Sequence, residues 1–248
     1  MIILAMETST LTGSVALVEV PVGEDGVWQR EKIIGETTLS TPETHSARLM
    51  PAIDRLLQET SLTIQRVQGI ALGLGPGSFT GLRIAVSTVK GLAYSLRVPV
   101  VGVPTLDVLA YNLPYASMMV CPVLDARKKE VYAALFRGNS EGHLDRVSED
   151  WVLSPEDLCS RISEKTVFLG NGIEVYGEFF KEKLGCRVFF APPEHSLPRA
   201  SNVARLSLLK FKDGLFLDLS SFAPLYVRRS EAEVHYEAKE HQKSPGGI

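Results

Sequence analysis

A chain of 248 residues, 45% hydrophobic and 22% charged, can hold one large or two modest domains with full cores. Its formal net charge of −3 excludes an autonomous nucleic-acid binder with a strongly basic surface, so any RNA contact is expected to be local or shared with a partner. Cys121, Cys159 and Cys186 form no C-x-x-C, which excludes a zinc knuckle or disulfide framework and leaves buried free thiols as the default. The segment Met1-Ile-Ile-Leu-Ala5 carries no basic stretch and no window approaches membrane-spanning length. A cytoplasmic chain without membrane contact is expected.

Apolar runs at 2–7, 12–20 and 28–38 read as three strands, with Gly23-Glu-Asp-Gly26 suited to the hairpin loop between the second and third. Ser40-Thr-Pro-Glu43 has capping-box spacing, and Leu49, Met50, Ala52, Ile53, Leu56 and Leu57 recur at helical intervals. Pro51 should kink this helix or set its start close to His45.

The stretch from Gly69 to Leu96 reads as an apolar strand, a turn bearing Gly73, Gly75, Pro76 and Gly77, and a long helix capped by Ser78 or Thr80. Such a turn suggests anion binding at a helix N-terminus, but Leu82 stands where a P-loop needs lysine. Gly75-x-Gly77-x-x-x-Gly81 is also one residue too long for a dinucleotide fingerprint. At 100° per residue, Phe79, Leu82, Ala85, Val86, Val89, Leu92, Ala93 and Leu96 share one apolar face. Beside it runs a strip of Gly81, Ile84, Thr88, Gly91 and Ser95, whose small residues permit close approach, either inside the domain or to another chain.

A strand at 99–103 and a helix from Thr105 or Leu106 to Asn112 follow. The second half repeats the order: strands at 118–125, 130–137 and 146–153, then helices at 155–163, 172–183 and 200–211 around strands at 166–170 and 186–190. Both halves read β-β-β-α-β-α-β-α, which predicts an α/β chain of two similar lobes with a cleft between them. The first lobe covers 1–104, the second 105–230, and 231–248 is a polar tail expected to fray.

This architecture resembles the actin-like (ASKHA) fold, and the local sequences resemble the TsaB (YeaZ) family. The matching segments are Met6-Glu-Thr-Ser9, His45-Ser-x-x-Leu-Met-Pro51, Gly75-Pro-Gly-Ser-Phe-Thr-Gly-Leu-Arg-Ile84, Lys90-Gly-Leu-Ala93, Leu124-Asp-Ala-Arg127, Glu130-Val-Tyr132 and Pro224-Leu-Tyr-Val-Arg228. Glu7 departs from the family, which often has aspartate there. The resemblance implies a non-catalytic partner of the TsaD transferase, which with the TsaE ATPase makes N6-threonylcarbamoyladenosine on tRNA. It also implies that the partner surface comprises the first two helices, 46–59 and 79–96, with Leu49, Ile53, Leu57, Ile84, Thr88 and Gly91 as contacts. A homodimer through the same face is expected when TsaD is absent, with tRNA met through the complex. The isolated chain is expected to hold no cofactor, while ATP and metal belong to TsaD and TsaE.

TsaD's metal site requires a closely spaced histidine pair, but Pro104-Thr-Leu-Asp-Val-Leu-Ala110 stands in that segment. His45, His143, His195, His235 and His241 offer no local metal pair, and His45 is expected to pack or cap. Glu7 and Asp125 end equivalent strands and are expected to face one cleft, a vestigial nucleotide site with Arg127 beside it. Their following turns, Thr8-Ser-Thr10 and Ala126-Arg-Lys-Lys129, lack the glycines that would admit phosphates. The alternative is an actin-like small-molecule kinase or ATPase with a degenerate nucleotide site.

Overall fold

The computed structural model describes residues 1–23, 27–40 and 44–227. The hairpin positions 24–26, the expected capping box at Ser40–Glu43 and the tail lie wholly or partly outside the described residues. The first sheet contains β1 (Ile2–Glu7), β2 (Thr12–Glu19), β3 (Lys32–Ser40), β4 (Gly69–Gly73) and β5 (Val100–Val103), ordered β3-β2-β1-β4-β5. Helices α1 (His45–Glu59) and α2 (Phe79–Leu96) join its strands, and α1 continues unbroken past Pro51 from a start at His45. After α3 (Thr105–Ala110), the second half adds β6 (Met119–Asp125), β7 (Val131–Ala133), β8 (Phe136–Gly138), β9 (Leu144–Arg146) and β10 (Trp151–Leu153). The chain continues through α4 (Pro155–Arg161), β11 (Thr166–Leu169), α5 (Gly172–Leu184), β12 (Val188–Phe190) and α6 (Ala200–Lys212). The main path of the second sheet is β10-β7-β6-β11-β12, the order of the first sheet repeated. Two lobes of like strand order result.

Alternation along the strands decides which helices cover which face. Leu4, Met6, Val15, Leu17, Ile70 and Leu72 point to one side of the first sheet, where they meet Leu49, Ile53 and Leu56 of α1 and Ala85, Val86 and Val89 of α2. The opposite side presents Ala5, Ala16 and Ala71, small residues that admit a helix closely. That helix is α6, whose Ala200, Val203, Ala204 and Phe211 pack there. Chain order would assign α6 to the second lobe, yet its apolar face is buried on the first. Conversely, Leu106, Leu109 and Ala110 of α3 pack against Val120, Leu124 and Leu169 of the second sheet. Where α3 and α6 meet, Asn202 Nδ2 donates to Asn112 Oδ1 (2.7 Å) and to the Val108 carbonyl (3.2 Å).

Two expected strands are interrupted. The run 130–137 divides into β7 and β8, which keep one register against β6 through Val123↔Ala133 and Val120↔Phe136. Between them the Leu135 backbone turns away: its N–H donates to Ser148 Oγ (2.9 Å) and its carbonyl accepts from Val147 N–H (2.8 Å). The same exchange breaks the run 146–153, because Val147 and Ser148 serve Leu135. Cys121 is buried as expected, whereas Cys186 is exposed, since the turn from α5 to β12 carries it outward. Among the described residues no helix is long and apolar enough to cross a membrane.

Candidate functional site

Strands β1 and β6 are the central strands of their sheets, and both end at an acid beside the gap between the lobes. The gap holds a cavity of about 650 Å³. Ser9, Thr10 and Leu11 line it from the β1–β2 turn, and Pro76 to Phe79 from the start of α2. Asp125 to Lys128 line it from the β6–β7 turn, and Leu225 to Val227 complete it from the C-terminal side.

The two acids do not share this cavity. Asp125 lines it, with one carboxylate oxygen 3.2 Å from the Arg127 guanidinium and the other accepting the Arg127 N–H at 2.9 Å. Glu7 is fully buried behind the turn, where Oε1 accepts the Ser9 N–H (2.6 Å) and Oε2 the Thr105 hydroxyl (3.4 Å). The expectation that both carboxylates face one cleft is therefore corrected. The strand ends are equivalent, but the longer glutamate side chain turns back beneath Gly73 and is enclosed by its own lobe.

Burial pushes the Glu7 pKa above 4.5, with the Ser9 and Thr105 contacts opposing the shift. The folded chain then retains a proton that the unfolded chain has released, so stability declines as pH rises from 4.5 through the folded value. Glu7→Gln keeps the acceptor for Ser9 and removes this titration. It should flatten the decline and raise stability at pH 8 relative to pH 5. Urea unfolding at pH 5 and pH 8 measures this, and an unchanged slope would assign the dependence to another group.

The glycine-rich turn is a packing joint. A Cβ at Gly77 would stand 2.3 Å from the Ser9 carbonyl oxygen, and one at Gly81 would stand 2.1 Å from that of Thr8. The β4–α2 loop thereby lies flat on the β1–β2 turn. Ser78 N–H donates to the Ser9 carbonyl (2.6 Å), and Ser78 Oγ caps the Gly81 N–H (3.3 Å). His45 supports the same turn, with Nε2–H donating to the Thr10 carbonyl at 2.7 Å and Nδ1 accepting from Arg48. Burial, and then the Arg48 charge, lower its pKa and favour the neutral ring, in keeping with the packing role expected of it.

The expected partner contacts divide. Leu49, Ile53 and Leu57 are only 4%, 2% and 8% exposed, so their assignment to a partner surface is corrected: the stripe of α1 is consumed by its own sheet and by α2. Ile84 and Thr88 are half-buried, while Gly91 is exposed with open space where a Cβ would stand. Met50 and Asp54 of α1 and Ser87 and Tyr94 of α2 are among the exposed residues of these helices, and Tyr94 retains 82% of its surface.

Sequence reasoning missed a second cluster. Phe79, expected in the core, is 39% exposed and pairs with Tyr226 at 5.2 Å between centroids. Arg83 stacks over Phe79 at 3.8 Å and donates from Nε to the Tyr226 hydroxyl at 3.1 Å. The Leu225 N–H is held by the Leu74 carbonyl (2.8 Å), bringing this aromatic to the cavity. Pro224-Leu-Tyr-Val was visible in the sequence, but no periodic pattern assigned it to a wall. Among the described residues no group of three acids, histidines or cysteines is arranged to hold a metal ion.

Comparison with known proteins agrees with this geometry. A profile of the TsaD family, tRNA N6-adenosine threonylcarbamoyltransferase, matches residues 32–236. The TsaB protein of Bacillus subtilis is 31% identical over 95% of this chain and 98% of its own, and that of Escherichia coli is 28% identical over 96% and 99%. The structure of YeaZ from Pseudomonas aeruginosa superimposes with a TM-score of 0.71 at 29% identity, over 91% of this chain and 99% of its own. With similarity that runs through both lobes, the joint between them and the helices that flank it, the chain belongs to the TsaB (YeaZ) family, within the broader group that the TsaD profile describes.

Proposed function

We propose that this chain is a non-catalytic subunit that binds and supports a TsaD transferase in forming N6-threonylcarbamoyladenosine on tRNA. The observation that carries this reading is the end-to-end match to relatives from B. subtilis, E. coli and Haemophilus influenzae, each named a tRNA threonylcarbamoyladenosine biosynthesis protein. Two structural features support it. Met50 of α1 and Ser87, Gly91 and Tyr94 of α2 are exposed, and the small residues of α2 suit close helix contact. Of the two acids at the strand ends only Asp125 reaches the cavity, where it is ion-paired with Arg127, while Glu7 is enclosed within its lobe.

On this reading TsaD and TsaE supply ATP and metal chemistry, and tRNA meets the chain through the complex. Without TsaD the same helices pair two copies of the chain in an isologous dimer. The competing reading, an actin-like small-molecule kinase or ATPase, requires turnover by the chain alone. The test combines the TsaD and TsaE of the same organism, threonylcarbamoyl-adenylate and unmodified tRNA, with or without the chain. Adding it should raise modification by about tenfold or more, equivalent to over about 1.4 kcal/mol of barrier. Modification by the chain alone, or no response to its addition, would overturn the proposal.

A further inference from the structure

We infer that the cavity between the lobes binds a phosphate monoester carrying a planar ring, of the nucleoside monophosphate class, and does so without a divalent cation. This goes beyond a supporting role for TsaD and concerns the isolated chain. At about 650 Å³ the cavity lies within the range of small-molecule sites. Its walls come from both lobes, so an occupant would touch the β1–β2 turn and the β6–β7 turn together.

On the first wall stand Ser9 and Thr10 of the β1–β2 turn. The opposite wall holds Arg127 and Lys128, within a run of three left-handed residues at φ values of 61°, 54° and 62° for Arg127, Lys128 and Lys129. Each non-glycine residue there costs roughly 1–2 kcal/mol, so a turn selected for stability alone would use glycine or asparagine. Here three cations occupy it. Strain of this kind belongs with a functional constraint on the side chains.

Charge and shape narrow the occupant. Arg83, Arg127 and Lys128 against Asp125 give the lining a formal charge of +2, counted as three cations less one acid, which matches a phosphate dianion. A triphosphate would carry more negative charge than this lining balances and would need a metal ion. Among the lining residues Asp125 is the one carboxylate, already paired with Arg127, because Glu7 is enclosed, so the cavity offers a metal ion a single acid. Phe79 and Tyr226, held in place by Arg83, supply a wall on which a planar ring can stack.

Calorimetric titration of the full chain tests the inference, with AMP, inorganic phosphate, adenosine and ATP as probes, each in EDTA and in magnesium. AMP should bind with a Kd between about 1 and 100 μM, and phosphate or adenosine alone at least tenfold more weakly. The AMP Kd should be the same in EDTA and magnesium. Arg127→Gly with Lys128→Gly removes the charge and relieves the strained turn, so it should weaken AMP by about tenfold or more without lowering the melting temperature. No heat at about 5 mM AMP, unchanged affinity in the double variant, or binding seen only with magnesium or only with ATP would overturn the inference.

Discussion

Gly81→Ala should lower the melting temperature by about 10 °C or prevent folding, while Gly91→Ala on the same helix should leave it unchanged or raise it. The added methyl is identical, and only its surroundings differ. At Gly81 it would stand 2.1 Å from the Thr8 carbonyl oxygen, a backbone atom that cannot withdraw without separating the β1–β2 turn from α2. Overpacking against fixed backbone costs about 1–3 kcal/mol or more, and the loss would extend to the His45 and Ser78 hydrogen bonds that join the same turn. At Gly91 the methyl meets nothing within 4 Å, so the substitution gains the helix propensity of alanine, about 1 kcal/mol. In a chain of this size each kcal/mol moves the midpoint by roughly 2–4 °C. Calorimetric melting of both variants measures the difference. A Gly81→Ala protein within about 2 °C of wild type would show that the two turns are not rigidly joined.

This contrast also marks what can be read from the sequence. Strand β4, the turn and α2 were legible because apolar period, glycine spacing and a serine cap agree over a continuous stretch, and α2 spans the expected Phe79–Leu96. Most of its core face was legible too, with Leu82, Ala85, Val86, Val89 and Ala93 buried. Phe79 escaped because it begins the helix at the lobe boundary, where the apolar face meets the cavity instead of the sheet. A helical stripe states that something covers it but not what does. That ambiguity assigned Leu49, Ile53 and Leu57 to a partner when their own sheet covers them, and chain order similarly concealed that α6 returns to the first sheet. The acids posed a third kind of problem: strand equivalence located Glu7 and Asp125, but the direction of a carboxylate depends on what closes over it. For Glu7 that is the Ser9 amide and the Thr105 hydroxyl, far apart in sequence.

On the proposed assembly, Gly91→Arg should leave the monomer folded and abolish its pairing, both with itself and with TsaD. The position suits the test because it is exposed in the isolated chain, so a long side chain has room and the lobe loses no core contact. In an assembly built on α1 and α2 the same position would meet the partner's backbone closely. An arginine there would clash and bury a cation without a counter-charge, weakening association by about 3–5 kcal/mol, or over 100-fold in Kd. With Leu49, Ile53 and Leu57 committed to the core, the proposed contact would draw on outward residues such as Met50, Ser87, Gly91 and Tyr94. Light scattering should therefore report a monomer at concentrations where wild type is dimeric. Circular dichroism and the melting temperature should stay near wild-type values, and capture of TsaD should fail. A folded variant that dimerises and captures TsaD at wild-type strength would remove α1 and α2 as the interface. The end-to-end family match would survive that result, because it rests on both lobes and not on this surface.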